Sequence, residues 1–140
     1  MTVARASAGG RKECCVTTGH FTIESQSDQG LLRITLRGHW DLATVVRYRV
    51  VLTAAIERMR ASGVRPARIV ALVDARGVTA QTQAVVAFYQ RHLGIADLAP
   101  RRLATLLSSA LFKRQVERIA IPRQRIFADE DEAMAWLLAA

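Results

Sequence analysis

The spacing of apolar and polar residues changes several times along this chain, and each change predicts an element. Phe21-Thr22-Ile23-Glu24 alternates, which is the period of a strand with one wet face. Leu32, Ile34 and Leu36 alternate with Arg33, Thr35 and Arg37 in the same way. Ser27-Asp28-Gln29-Gly30 between the two runs is turn chemistry, so the runs form a β-hairpin. From Asp41 to Ala61 the period lengthens. Leu42, Val45, Val46, Arg49, Leu52, Ile56 and Met59 fall three or four apart, an amphipathic helix with only Arg49 breaking the apolar stripe. Asp41 is placed to cap its first turn or favour its positive end. Ser62-Gly63 stops it and Pro66 forbids continuation.

The run Arg68-Ile69-Val70-Ala71-Leu72-Val73 has no polar alternation, so it reads as a strand buried on both faces. Asp74 ends it. Arg76-Gly77 is read as a turn, and Thr79 as the N-cap of a helix reaching about His92. Leu103 to Leu107 is a further apolar strand, Ala110 to Ile119 a helix, and Arg125-Ile126-Phe127 a short last strand. Asp129 and Glu132 stand three apart ahead of Ala133, Met134, Trp136, Leu137 and Leu138. That is capping-box spacing, and the acidic run Asp129 to Glu132 suits the positive end of a helix dipole. Capping accounts for these four carboxylates without a metal or acid–base site.

The predicted order is β-β-α-β-α-β-α-β-α. It defines an α/β domain with a mainly parallel sheet of about five strands, an N-terminal hairpin and about four helices. Residues 20–140 form this single domain. Residues 1–19 are small and polar, without an apolar period, and are expected to be a disordered tail.

Composition changes the picture little. About half of the 140 residues are apolar and 23% are charged, as in an ordinary globular protein. No run approaches the roughly 18 apolar residues of a membrane span, and no secretory signal opens the chain, so a cytoplasmic location is expected. The net charge of +8 rests on 18 arginines and two lysines. These are spread along the chain. The nearest cluster, Lys113, Arg114, Arg118, Arg123 and Arg125, is interrupted by Glu117 and has no interleaved aromatic residues. Nucleic acid is therefore a weak expectation. Cys14 and Cys15 are adjacent, with no second pair for a metal site, and read as free thiols.

Catalytic patterns are sparse. His20, His39 and His92 fall in separate segments with no ligand spacing, so neither a metal nor a cofactor is expected. Asp74 and His39 both sit at strand ends and could pair for proton transfer, but no nucleophile accompanies them. Gly77 stands without a P-loop lysine or a second glycine. Arg76, in a turn beside a helix start, could hold an anion or carboxylate. Trp40 and Trp136 either close the core or flank an apolar pocket between the first and last helices.

Three places resemble a known family. Gly38-His39-Trp40-Asp41, the step from strand into first helix, resembles a Gly-x-Trp-Thr step. Leu72-Val73-Asp74-Ala75-Arg76-Gly77-Val78 is similar to a strand ending in Asp-x-x-Gly-Val. Phe127 to Leu137 resembles a closing Phe-x-x-x-x-x-Ala-x-x-Trp-Leu helix. Together they resemble the STAS domain family, in its divergent SpoIIAA-like, anti-sigma-factor-antagonist-like branch, over roughly His20 to Leu138. The resemblance implies a bacterial, non-catalytic signalling module that binds a regulatory protein, such as a sigma-regulator-like partner. The departure is at Thr82-Gln83-Ala84-Val85, where switch-type members carry Asp-Ser-Ser-Gly with the phosphoacceptor serine. Thr79 or Thr82 would have to replace it, and both equally suit helix-start positions. The expected partner surface is Asp74, Arg76, Gly77, Thr79, Thr82 and Gln83, with His39 and Trp40 beside it. A lipid or other small apolar ligand beside Trp40 or Trp136 is the alternative, since the wider fold includes lipid-handling relatives. An unpaired edge of the hairpin would also permit a homodimer.

Overall fold

The computed structural model describes residues 2–4, 14–78, 81–85, 87, 100–108, 110–119 and 123–139. Seven strands form one sheet in chain order: β1 (Thr2–Ala4), β2 (Cys14–Thr17), β3 (Phe21–Gln26), β4 (Leu31–Gly38), β5 (Val70–Val78), β6 (Arg102–Leu106) and β7 (Gln124–Phe127). The first three pairings are antiparallel and the last three parallel. The helices are α1 (Leu42–Ala61), α2 (helical at 83–85 and 87), α3 (Ala110–Ile119) and α4 (Glu130–Leu138).

All five predicted strands are present, and two more come from residues expected to be a tail. Val16 is buried beside Ile23, its register partner. Backbone pairing with β3 orders β2 although its side chains are mostly small and polar. The outer edge of the expected hairpin is therefore occupied by β2, and among the described residues the edges of the sheet are β1 and β7. The dimer expected through that hairpin edge loses its basis.

Each face of the sheet has its own core. Phe21, Ile23, Leu32, Ile34, Leu36, Ala71, Ala75 and Val78 bury one face beneath Val45, Tyr48, Val51, Ala55, Ile56 and Met59 of α1, with Val85 and Val116 adding α2 and α3. Leu31, Val70, Leu72, Ala104 and Leu106 bury the other beneath Ala133 and Leu137 of α4. Both faces of β5 are thus covered, as its unbroken apolar run requires.

Helix α1 is rotated from the expected stripe. Tyr48, Val51 and Ala55 point inward, while Leu42, Val46 and Val50 are 45%, 47% and 64% exposed. A tyrosine body buries more apolar area than a valine, and facing Tyr48 inward also removes the conflict at Arg49, which is exposed. The helix ends as predicted at Ser62-Gly63. Gly63 N–H donates to the Arg60 carbonyl and Val64 N–H to the Met59 carbonyl, both at 3.0 Å, with Gly63 at φ +102°. This is a Schellman cap. At the other turn glycine a side chain is excluded: Gly30 has φ +63°, and a Cβ there would lie 2.7 Å from the Arg68 carbonyl oxygen.

Candidate functional site

The parallel strands all end at one edge of the sheet and hand over to helices there, the usual location of function in open α/β sheets. The strand β5 reaches this edge later than its sequence suggests. Arg76-Gly77 is not a turn. The strand continues to Val78, with Thr35 opposite Asp74 and Arg37 opposite Gly77. Two steps along β4 match three along β5, which is a β-bulge. The bulge returns buried Val78 to the α1 face, so burial of that valine outweighs the tendency of Arg-Gly to turn. Gly77 also fits a close approach: a Cβ there would stand 3.3 Å from the Leu36 carbonyl.

Helix α2 consequently starts later than expected. Thr82 Oγ1 accepts the Val85 N–H at 3.3 Å, which makes Thr82 its cap. Thr79 lies outside the described residues, as does the expected course of this helix to His92. Thr82 and Gln83 are exposed, as are Arg76, Gly77 and His39.

Trp40 is buried at 2% exposure. Its ring packs 5.9 Å from Phe21 and 5.2 Å from Tyr48, and Phe21 and Tyr48 stand 5.5 Å apart. Burial pushes the Tyr48 phenol pKa up. The indole N–H donates to the Arg37 carbonyl at 2.9 Å, and the Trp40 backbone N–H donates to Gln81 Oε1 at 3.0 Å. Gln81 and Gln115 then exchange two hydrogen bonds, both 2.8 Å. Gln81 N–H donates to Gln115 Oε1, and Gln115 Nε2 donates to the Gln81 carbonyl. Two amide side chains thereby tie the starts of α1 and α2 to α3. Sequence reading missed both residues, because a polar residue in a loop or on a helix gives no sign that it will be half-buried and paired.

Asp74 and Arg76 form a bidentate pair. Arg76 Nε and Nη2 donate to the two Asp74 oxygens at 2.9 and 2.8 Å, and the Arg76 N–H donates to Oδ1 at 3.1 Å. The Arg76 side-chain hydrogen bond, more than the opposing burial, holds the Asp74 carboxyl below its usual pKa. Glu130, in the first turn of α4, lies 3.7 Å from Arg76 and 3.4 Å from Arg33. Arg76 is therefore neutralised locally rather than held ready for an added anion. Ser108 Oγ donates to the Arg76 carbonyl at 3.2 Å.

The Asp74–His39 pair does not form. Gly38 is aligned with Val78, so His39 lies past the end of the ladder, roughly 13 Å along the strand from Asp74 at about 3.3 Å per residue. The expected neighbourhood of the two tryptophans is also overturned. Trp40 belongs to the α1 face and Trp136 to the α4 face, so the two rings do not flank a common pocket. Trp136 packs 5.6 Å from Phe127, with Arg102 and Arg125 guanidinium groups 5.4 and 5.9 Å from its ring. The basic cluster is divided as well: α3 lies on the α1 side through Val116, while Arg125 stacks on Trp136 on the other. Cys15 is a half-buried free thiol on β2. Among the described residues, no group of three or more His, Cys, Asp or Glu side chains is placed to hold a metal, and no helix is long and apolar enough to cross a membrane.

With this geometry established, the fold is that of a mixed α/β sheet with helices entering from the carboxyl ends of its parallel strands. More narrowly, it is a SpoIIAA-like, STAS-type fold. The chain is similar to an uncharacterised protein of the DUF3478 family with a SpoIIAA-like fold from Shewanella loihica, with TM-score 0.58 and 20% identity over 87% of this chain and 97% of that one. It is also similar to an anti-sigma factor antagonist from Mycobacterium paratuberculosis, with TM-score 0.56 and 9% identity over 87% of this chain and 98% of that one. No family model matches the sequence, and no curated protein matches it.

Proposed function

We propose that this protein is a non-catalytic regulatory module that docks a protein partner through the strand end and helix start at residues 74–83. One observation carries the reading. Thr82 and Gln83 stand exposed beside the start of α1, where Leu42 and Val46 present unusual apolar exposure. Exposed apolar residues rimmed by polar ones mark interaction surfaces. The Gln81–Gln115 pair and the Trp40 bonds fix this edge before binding, which lowers the entropy cost of association. Its fold likeness to an anti-sigma factor antagonist supports a partner that is a regulatory protein. Thr82 occupies the region where switch-type relatives carry their serine, and its hydroxyl is engaged as a helix cap.

The test is photo-cross-linking in the protein's own cells. A reactive side chain at Gln83 is expected to capture a discrete protein, and the same group at Asp28, at the opposite end of the strands, is not. Thr82→Arg should reduce the capture by about tenfold or more, as an unpaired charge placed in an interface does, while leaving the circular dichroism melt unchanged. Equal capture from both positions, or capture indifferent to Thr82→Arg, would sink the reading.

A further inference from the structure

At the amino ends of the parallel strands, opposite the proposed docking edge, lies a cleft of about 680 Å³. Its wall combines apolar Val64, Ala67, Val70, Leu137 and Leu138 with the polar turn at 27–30 and two arginines, Arg68 and Arg101. The size falls within the range of roughly 300–1,000 Å³ for small-molecule sites, and so does the mixture of apolar wall and few polar groups. The two arginines are the informative feature. Other arginines on the sheet have partners: Arg76 pairs with Asp74 and Glu130, Arg33 with Glu130, and Arg102 donates to the Trp136 and Ala139 carbonyls. Arg68 and Arg101 use their backbone N–H groups structurally, Arg68 toward the Arg65 carbonyl at 2.8 Å and Arg101 toward the Ile69 carbonyl at 2.7 Å. Their guanidinium groups make no hydrogen bond or ion pair with the described residues. Asp28 also lines the cleft and already has an interaction partner of its own. Leu138, 47% exposed at the end of α4, offers an apolar surface beside them.

The cleft is also rigidly built. Gly30 admits no side chain because the Arg68 carbonyl approaches it, and Val70 N–H donates to the Gly30 carbonyl at 2.8 Å. The Schellman cap of α1 fixes Gly63 and Val64 on its rim. Two free guanidinium groups on a fixed apolar cleft match one ligand chemistry. We infer that this cleft binds a small amphipathic anion, a carboxylate carrying a short aliphatic chain, with the head between Arg68 and Arg101 and the chain on Val64 and the exposed Leu138. Guanidinium forks suit a carboxylate bidentately, and the chain gains by leaving water.

Calorimetric titration of the whole protein with decanoate, decanol and inorganic phosphate tests this. Decanoate is expected to bind more tightly than either of the other two. Arg68→Ala and Arg101→Ala should each weaken decanoate by about tenfold or more, in line with loss of a charge-assisted hydrogen bond, whereas Arg76→Ala at the far edge should not. Both arginines are solvent-accessible and bond no described residue through their side chains, so the variants should fold, as a circular dichroism melt will check. Decanol binding as tightly as decanoate would overturn the role of the arginines. Phosphate binding as tightly as decanoate would overturn the role of the apolar wall. Absence of decanoate binding overturns the inference, and so does retention on phosphatidylglycerol vesicles without binding of monomeric decanoate, which would assign the arginines to a membrane surface. Cross-linking at Gln83 is independent of all these outcomes.

Discussion

On one face of the sheet, Phe21, Trp40 and Tyr48 interlock beneath α1, and the inward rows of β3, β4 and β5 are apolar apart from buried Ser25 near the end of β3. On the other face, α4 packs on β5, β6 and β7, and the same strands change character part-way along. On β4, Leu31 is buried, then Arg33, Thr35 and Arg37 follow on that face. On β5, Val70 and Leu72 are buried, then Asp74 and Arg76 follow. Glu130 in the first turn of α4 meets Arg33 and Arg76 where the apolar rows stop. The charge cluster is the seam between covered and open sheet. A row of charges that could pass for an active site is thus placed by where a nine-residue helix begins, and its groups neutralise each other.

If the α1 face is the main core, Phe21→Ala should cost the most, about 3–5 kcal/mol, as truncation of a fully buried aromatic residue does. Urea unfolding measures it. Leu137→Ala on the α4 face should cost about 2–4 kcal/mol. The two side chains lie in separate clusters, so the double variant should be additive within about 0.5 kcal/mol. A strong coupling would mean that the sheet transmits strain between its faces and would break the comparison.

The difference between the faces also explains what the sequence could and could not reveal. Alternation in β3 and β4 was legible because one face there is fully closed and the other polar. The run Val70 to Val73 was legible because both faces are closed. The helix caps at Asp41 and Asp129 were legible because capping is local: Asp41 accepts the Thr44 N–H at 2.8 Å and Asp129 the Glu132 N–H at 3.1 Å. The seam was not legible. Arg76-Gly77 has the local chemistry of a turn, and only the pairing of Gly77 with Arg37 and burial of Val78 keep it in the strand. The strands in residues 1–19 were missed for the same reason, since β2 is held by backbone bonds to β3 rather than by its own apolar pattern. At the candidate site, exposure of Thr82 and Gln83 agrees with the sequence reading, whereas the Gln81–Gln115 ties come from tertiary structure alone.

Those ties define a smaller expected effect. Gln115→Ala removes the two hydrogen bonds between its side chain and the Gln81 backbone and should cost about 1–3 kcal/mol, the range for half-buried groups losing hydrogen bonds. Its distinguishing readout is hydrogen exchange. Amides at the starts of α1 and α2 should exchange faster, while those of β3 and β6 stay protected. Uniform acceleration across the sheet would show that the ties hold up the fold as a whole rather than the docking edge.

The smallest effect concerns the seam itself. Arg76 is 42% exposed at its side chain, so solvent screening limits the Asp74–Arg76 pair to about 1 kcal/mol or less. Its sign with pH is nonetheless fixed. Hydrogen bonding from Arg76 depresses the Asp74 pKa in the folded chain. The pair therefore contributes fully above the unfolded aspartate value of about 3.9 and is lost as pH falls through the lower folded value. Asp41, depressed by the Thr44 N–H bond, titrates in the same window, so removing Asp74 should flatten the acid limb only in part. Urea midpoints of the wild type and Asp74→Asn, compared at neutral pH and near pH 3, should converge on acidification, because the wild type loses what the variant already lacks. Parallel acid limbs would mean that Asp74 is no better stabilised than in the unfolded chain, and the seam would then be a border between two surfaces with no energetic contribution of its own.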